Sequence, residues 1–258
     1  MLYAFRYLTY LLKAKDEHSL HSPFLFDLYE NIIESFAEYY KFKDIEGVRE
    51  EMLLSDKIIE VTDLGAGSRI SKFNSRKVSS IAKHSVKQEK YGKLLFRLVN
   101  YFKPKTVLEL GTSLGVTTCY LASASSDNQV ITFEGCTNIS SIAKNNFEKL
   151  ELKNIKQIEG DFDDMLPNEL SKIVSVDFVY IDGNHRKKPT LAYFKQLLSK
   201  SHNDTIMIFD DIHWSSGMEE AWEEVKASKD VSITIDLFHL GIVFLRKEQV
   251  KQNFVLKF

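Results

Sequence analysis

Alternation of short strand-like runs with helical patterns is the feature that most restricts the fold of this chain. Five runs rich in β-branched and aromatic residues are each followed by a stretch with helical periodicity. The runs are Thr106–Leu110, Val130–Glu134, Ile155–Glu159, Val176–Ile181 and Thr205–Phe209. Because parallel strands need a long crossover, usually a helix, this order predicts βαβ units in a doubly wound sheet.

The chain ends in a different pattern. Val231–Leu237 and Gly241–Arg246 are β-rich runs that are separated only by Phe238, His239 and Leu240. With no helix between them, these runs predict a hairpin, and the last strand should therefore be antiparallel. The predicted fold is α/β, with a doubly wound, mostly parallel sheet of seven strands.

Residues 1–85 are predicted to form a helical extension that caps a second domain, residues 86–258. Apolar side chains recur at helical spacing in two stretches of the extension. They are Leu2, Phe5, Leu8 and Leu12 in the first, and Phe24, Leu25, Leu28, Ile32, Ile33 and Phe36 in the second. The first stretch is too short to span a bilayer, so we expect no integral membrane span. Its apolar face favours packing on the body or on a second copy, which makes a homodimer a candidate assembly; membrane-surface contact is the alternative.

The net charge indicates which kinds of partner to expect, and the cysteine content indicates the cellular compartment. The chain carries 34 basic and 36 acidic side chains, a net charge of -2, so bulk electrostatics do not favour a nucleic-acid partner. It has two cysteines, Cys119 and Cys136, which fit reduced thiols better than a disulfide framework. We therefore expect a cytoplasmic protein.

A glycine-containing turn, Glu109–Gly115, ends the first strand of the alternating region and opens a helix. Gly111 and Gly115 would let the backbone approach a ligand, and the helix N-terminus offers free N–H groups. Glu109 stands at the carboxyl end of the strand, where open α/β sheets bind ligands. A tight βα turn without a ligand is the alternative. The turn lacks the Gly-x-Gly-x-x-Gly pattern typical of nicotinamide enzymes.

Acidic residues also end the next two strands. Glu134, followed by Gly135, ends the second strand, where an acid can accept hydrogen bonds from ribose hydroxyls, and Asp161 follows the third. The order ELGTSLG, FEG, GDF resembles the first three cofactor motifs of class I methyltransferases, whose sheet is Rossmann-like. The resemblance implies S-adenosylmethionine as cofactor, with Glu109 facing its methionine end, Glu134 its ribose and Asp161 its adenine. The implied binding residues are Glu109, Gly111, Thr112, Ser113, Gly115, Glu134, Gly135 and Asp161.

Two other segments contain residues that could belong to a functional site. Asp63–Ser68 (DLGAGS) has a similar glycine pattern, but no apolar helix follows it. We interpret it as a loop on the substrate side, with Arg69 as an anion contact, or as a structural turn. His18 and His21 could line a site in the segment His18–Phe24, although a linker between helices is favoured.

Three carboxylates follow the fourth and fifth strands: Asp182, Asp210 and Asp211. These strand ends should lie at the same edge of the sheet as the cofactor, and clustered carboxylates suit a hard cation such as Mg²⁺. The arrangement resembles catechol O-methyltransferase and its bacterial relatives, in which such residues hold a metal. Asp211 stands where that family has Asn or a similar residue. A metal there would lower the pKa of an acceptor hydroxyl and orient it.

The predicted function is transfer of a methyl group to the hydroxyl of a small molecule, with Mg²⁺ as a candidate cofactor. No lysine follows Asp182 as the family pattern would place a base, so Asp182, His185 and His213 are the candidate catalytic residues. A metal-free site remains open. The alternatives are a nicotinamide oxidoreductase and a non-catalytic binding protein on the same fold.

Overall fold

The structure, a computed structural model, describes residues 2–20, 22–62 and 74–258. Its elements follow the predicted alternation. Up to residue 134 they are α1 (Leu2–Lys13), α2 (Pro23–Leu28), α3 (Tyr40–Leu54), β1 (Ile58–Glu60), β2 (Ser75–Lys77), α4 (Val78–Ser85), α5 (Glu89–Phe102), β3 (Thr106–Leu110), α6 (Val116–Ser123) and β4 (Gln129–Glu134). After it they are α7 (Thr137–Lys149), β5 (Ile155–Glu159), α8 (Phe162–Leu170), β6 (Val176–Ile181), α9 (Lys187–Leu198), β7 (Ser201–Asp210), α10 (Ser216–Ala227), β8 (Ile233–Asp236), β9 (Leu240–Phe244) and β10 (Gln252–Val255).

The chain forms two compact units. The central unit is Phe36–Lys172, and the terminal unit combines Met1–Ser35 with Ile173–Phe258. This grouping differs from the division between residues 85 and 86 that the sequence predicts, and that division stays a prediction.

Three parallel strands form the sheet of the central unit. β4 lies between β3 and β5, with Glu109 opposite Thr132 and Glu134 opposite Glu159. A separate antiparallel pair, β1 and β2, lies within the predicted extension, and the polar run at Ser75–Lys77 was not expected to form a strand. The DLGAGS turn and Arg69 lie outside the described residues, as does His21.

The terminal unit contains the predicted hairpin. β6 pairs in parallel with β7, β7 pairs antiparallel with β9, and β8 pairs antiparallel with β9. The turn between β8 and β9 includes Phe238 with φ of 66°. A further strand, β10, pairs in parallel with β8. It extends the predicted set, because its sequence Gln-Asn-Phe-Val does not alternate between polar and apolar residues.

Helix α3 is part of the core of the central unit. Phe42 and Ile45 share a buried cluster with Cys119 and Tyr120 of α6. The Tyr120 hydroxyl donates to Glu46 at 2.6 Å, and Glu46 also accepts from Arg49. α3 therefore braces the helix that follows the glycine turn.

The second apolar stretch forms a shorter helix than its pattern predicts. Leu25, Leu28, Ile32 and Ile33 are buried as expected, but Phe36 is 96% exposed. α2 ends at Leu28 and a π-helical turn covers Tyr29–Ile33, so the helical phase changes and Phe36 lies beyond the last turn.

Helix α1 has one face packed within the terminal unit. The buried Tyr10 donates its hydroxyl to the Leu256 carbonyl at 2.5 Å, and Arg6 pairs with Glu219 at 2.8 Å. The opposite face is apolar and exposed, with Phe5 at 67%, Leu8 at 58% and Leu12 at 89%. Among the described residues, no helix combines the length and apolar character needed to cross a bilayer.

Candidate functional site

The predicted glycine turn adopts a conformation that most side chains disfavour. Gly111, Ser113 and Gly115 have φ values of 105°, 48° and 80°. The amides of Gly111 and Thr112 donate to the Phe133 carbonyl at 3.1 and 3.0 Å, and the Gly115 amide donates to Thr112 at 2.9 Å. These bonds hold the turn against the end of β4.

Gly115 also has a packing role. A Cβ atom at this position would lie 2.6 Å from Phe147 Cε1 and 2.9 Å from the Ala143 Cβ. The absence of a side chain therefore permits the close approach of α6 and α7, besides allowing the positive φ.

Glu109 is fully buried at the end of β3. Its Oε2 accepts hydrogen bonds from the hydroxyls of Thr118 at 2.5 Å and Thr132 at 2.6 Å. Its Oε1 is buried and has no hydrogen-bond partner among the described residues. Burial raises the pKa of Glu109 to about 7; the two hydroxyl bonds oppose the rise, and nearby Glu134 adds to it.

Glu134 fastens the end of β4 to the turn. Its Oε2 accepts from the Ser113 amide at 2.8 Å, and its Oε1 accepts from the Cys136 amide at 3.0 Å. Gly135 separates Glu134 from Cys136 in the chain. The half-buried carboxylate thus lies beside the left-handed residue of the turn.

Asp161 caps the helix after β5. Its side chain accepts from the Asp163 amide at 2.9 Å, which satisfies a donor at the start of α8. The preceding Gly160 has φ of 134°, and its amide donates to the Glu134 carbonyl at 3.0 Å. The residues predicted to bind the cofactor therefore lie at the ends of three adjacent strands in the central unit.

These features fit S-adenosylmethionine, which carries ribose hydroxyls and positive charge. The left-handed turn brings backbone close to a ligand, and the orphaned Glu109 oxygen is a buried acceptor that a cation would stabilise. Thr118 and Thr132 were missed by sequence reasoning. Their roles depend on register and helix phase, which no local motif specifies.

In the terminal unit, Asp182 lies between a tyrosine and a histidine. It accepts from the Tyr180 hydroxyl at 3.1 Å, and its Oδ1 is 3.5 Å from His185 Nε2. Between them, Asn184 has φ of 52° and donates its amide to the Tyr193 hydroxyl at 3.2 Å. The left-handed residue bends the chain so that His185 turns back to Asp182.

Asp210 and Asp211 follow β7 in different environments. Asp210 is buried, whereas Asp211 has φ of 52° and its amide donates to the His239 carbonyl at 2.7 Å. The Asp211 Oδ1 is 3.7 Å from His239 Nδ1. Sequence reasoning missed His239, which lies in the hairpin turn and reaches Asp211 only through strand pairing.

Both ring nitrogens of His213 are engaged by carboxylates. Nε2 lies 2.8 Å from Asp236 Oδ2, and Nδ1 lies 3.2 Å from Glu219 Oε1. The ring stacks on Phe238 at 5.2 Å. Burial lowers the pKa of His213, but the bonds to Asp236 and Glu219 outweigh it and leave the pKa raised. These contacts favour a protonated imidazole, which suits an ion pair better than a general base. The catalytic role of His213 therefore stays a prediction.

The described residues contain no group of three or more His, Cys, Asp or Glu side chains arranged to hold a metal ion. Asp182 and Asp211 instead have histidine neighbours, His185 and His239. The metal set of Asp182, Asp210 and Asp211 therefore remains a prediction, and no step below depends on it.

Comparison with known sequences points to one family. Residues 108–212 match the methyltransferase domain family. A catechol O-methyltransferase of Niastella koreensis is 31% identical over 124 residues, which cover 47% of this chain and 55% of that protein. The match thus spans about half the length of this curated relative.

Solved structures share the fold. The SAH-bound Podospora anserina methyltransferase PaMTH1 has a TM-score of 0.61 and 13% identity, covering 83% of this chain and 91% of that one. A Bacillus cereus O-methyltransferase in complex with SAH has a TM-score of 0.57 and 20% identity, covering 82% and 93%. The O-methyltransferase TomG of Streptomyces achromogenes, in complex with SAM, has a TM-score of 0.57 and 18% identity, covering 81% and 91%.

These likenesses confirm the predicted α/β fold, a mostly parallel mixed sheet of the methyltransferase type with N-terminal helices. The family match includes the glycine turn and continues past Asp210 and Asp211. Residues 108–212 thus match a methyltransferase domain, and about half of the chain is similar to a catechol O-methyltransferase.

Proposed function

We propose that the protein binds S-adenosylmethionine and methylates the hydroxyl of a small molecule. The observation that carries this proposal is the left-handed turn with Glu109, Glu134 and Asp161 at successive strand ends, within the matched domain. The names of the relatives support O-methylation, since the Niastella koreensis, Bacillus cereus and TomG proteins are all O-methyltransferases.

Each cofactor-binding residue has a role in this proposal. The turn Gly111–Gly115 and Glu109 receive the methionine part, Glu134 and Gly135 the ribose, and Asp161 the adenine. Because Glu134 already accepts hydrogen bonds from two backbone amides, its carboxylate is held in place before the ribose binds.

Asp182 and His185 are proposed to handle the proton of the acceptor. When bound, S-adenosylmethionine supplies a sulfonium-activated methyl group to an attacking oxygen. Because His185 Nε2 lies 3.5 Å from Asp182 Oδ1, Nδ1 is the nitrogen proposed to accept the hydroxyl proton. The Asp182 carboxylate then stabilises the imidazolium, while the Tyr180 hydroxyl orients Asp182.

Isotope-labelled S-adenosylmethionine offered with a panel of phenolic and catecholic acceptors tests this proposal. We expect methyl ethers as products, and a His185→Gln variant with kcat lowered about 10²–10⁴-fold and unchanged cofactor affinity. His202→Gln is the matched control, because His202 pairs with Asp177 at 2.7 Å in the same unit. Binding of the cofactor without transfer to any acceptor would favour the non-catalytic alternative.

A requirement for Mg²⁺ follows from the resemblance and is proposed on that basis alone. Turnover that is lost in a chelator, restored by Mg²⁺ and abolished in Asp210→Asn would support it. Full turnover in the chelator would remove the metal from the account.

A homodimer through α1 is proposed for the assembly. The exposed stripe Phe5, Leu8 and Leu12 has the spacing of helix-pairing residues and carries no charge, so a second copy covers it without burying an unpaired charge. Leu11, the neighbour of Leu12, is also exposed, at 46%.

The free thiols of Cys119 and Cys136 support the reducing cytoplasm as its location.

A further inference from the structure

Within the residues that the structure describes, the side chain of Glu109 has no countercharge. Its described contacts are two hydroxyl groups, both on Oε2, and Oε1 is buried with no hydrogen-bond partner among these residues. Among the described residues, the charged group that acts on it is another carboxylate, Glu134. Cys119 on α6 is the other titratable neighbour, and burial first, then Glu109, raises the pKa of its thiol, so it stays neutral.

An ionised carboxylate in this position is unfavourable. Removing a carboxylate from water costs far more than two hydroxyl hydrogen bonds return, and a buried acid usually takes up a proton instead. The neutral carboxyl group is therefore favoured at pH values below the raised pKa, which is about 7.

We infer that Glu109 is protonated in the cofactor-free protein, and that S-adenosylmethionine ionises it and expels one proton. The inference rests on the proposed function, which brings the positive charge of the methionine part to this turn. The proton passes from the Glu109 carboxyl group to the solvent, and no bond other than O–H is broken. The positive charge of the ligand then supplies the missing countercharge.

Proton release makes the affinity depend on pH. Below the pKa of the free carboxyl group, binding is linked to the loss of one proton, so Kd should fall about tenfold for each unit of pH increase. Above that pKa the carboxyl group is already ionised, and the dependence should level off.

Titration calorimetry with S-adenosylmethionine in buffers of different ionisation enthalpy measures the released proton directly. At pH 6 we expect close to one proton released by the wild-type protein and none by Glu109→Gln. Glu159→Gln is the control, because Glu159 lies at the end of the neighbouring strand opposite Glu134 and bonds Ser140; it should release as much as the wild type. Binding without proton release in the wild type, or unchanged release in Glu109→Gln, would overturn the inference.

Infrared spectroscopy of the cofactor-free protein separates this inference from the proposed function. A carboxylic-acid C=O band should be present at pH 6 and disappear as the pH rises past 8, which requires no variant. If the band is present but S-adenosylmethionine does not bind, the proposed function fails while the protonation of Glu109 stands. Absence of the band at pH 6 contradicts the inference even if the cofactor binds.

Titration with S-adenosylhomocysteine identifies which positive charge of the ligand ionises Glu109. It retains the amino group but lacks the sulfonium. Proton release with both ligands would assign the effect to the amino group, and release with S-adenosylmethionine alone would assign it to the sulfonium. Release with neither would overturn the coupling.

Discussion

Single residues at the glycine turn serve the fold and the site together. Gly115 has a positive φ and leaves space for Phe147, and Glu134 accepts hydrogen bonds from the amides of Ser113, in the turn, and Cys136, after β4. The sequence pattern predicts the position of these residues. It does not predict their partners, since Phe147 reaches Gly115 only after α7 packs on α6.

Replacing Gly115 with alanine should destabilise the protein by about 2–3 kcal/mol, because the new methyl group meets Phe147 and the positive φ is strained. Urea denaturation measures the change. Gly47→Ala is the matched control: nothing lies within 4 Å of its Cβ position on α3, so we expect stability to be equal or about 0.5–1 kcal/mol higher. Equal losses in both variants would contradict this account of the turn.

Stability without cofactor should depend on pH through Glu109. Its pKa is about 7 when folded and near the ordinary 4.5 when unfolded, so the folded state binds the extra proton between these values. The unfolding free energy should therefore fall by roughly 3 kcal/mol as pH rises from below 4.5 to above 7. Denaturant titrations at several pH values should show this fall, and Glu109→Gln should remove it. A wild-type curve with the opposite slope over that range would count against the buried neutral acid.

At the scale of secondary-structure elements, the periodicity of the sequence predicts which strands and helices form better than it predicts where they begin and end. The strands β3–β7 and the closing hairpin were predicted because each lies in a run rich in β-branched and aromatic residues. The residues of β10 show no apolar–polar alternation, and the π-helical turn at Tyr29–Ile33 has no pattern that distinguishes it from an α-helix. The sequence also did not predict that α3 packs against α6, because this packing depends on how the side chains of Phe42, Ile45 and Tyr120 fit together in three dimensions.

The bond between Tyr120 and Glu46 should hold α3 on α6. Tyr120→Phe removes the buried hydroxyl donor at 2.6 Å, and we expect the unfolding free energy to fall by about 1–2 kcal/mol. Tyr40→Phe, at an exposed position of α3, should change it by less than about 0.5 kcal/mol. Thermal denaturation followed by circular dichroism makes the comparison. A Tyr120→Phe variant as stable as the wild type would show that the bond does not brace α6.

At the scale of the whole molecule, the apolar face of α1 is a surface that the described residues leave exposed. Leu8→Lys places a charge in the middle of this face and should convert a dimer to a monomer in sedimentation velocity. Val174→Lys is the control, since Val174 is exposed in the same unit but lies outside α1. A wild-type protein that remains monomeric at high concentration would contradict the dimer, and binding to lipid vesicles would then favour a membrane surface.

Calorimetric titration with S-adenosylmethionine tests the central claim most directly. The wild-type protein should bind one equivalent, and Glu134→Gln should weaken binding at least tenfold, because this carboxylate fixes the turn and is proposed to bind the ribose. Glu159→Gln, its register neighbour on β5, should bind within about twofold of the wild type. The absence of binding by the wild-type protein, or equal affinity in Glu134→Gln, would contradict the account.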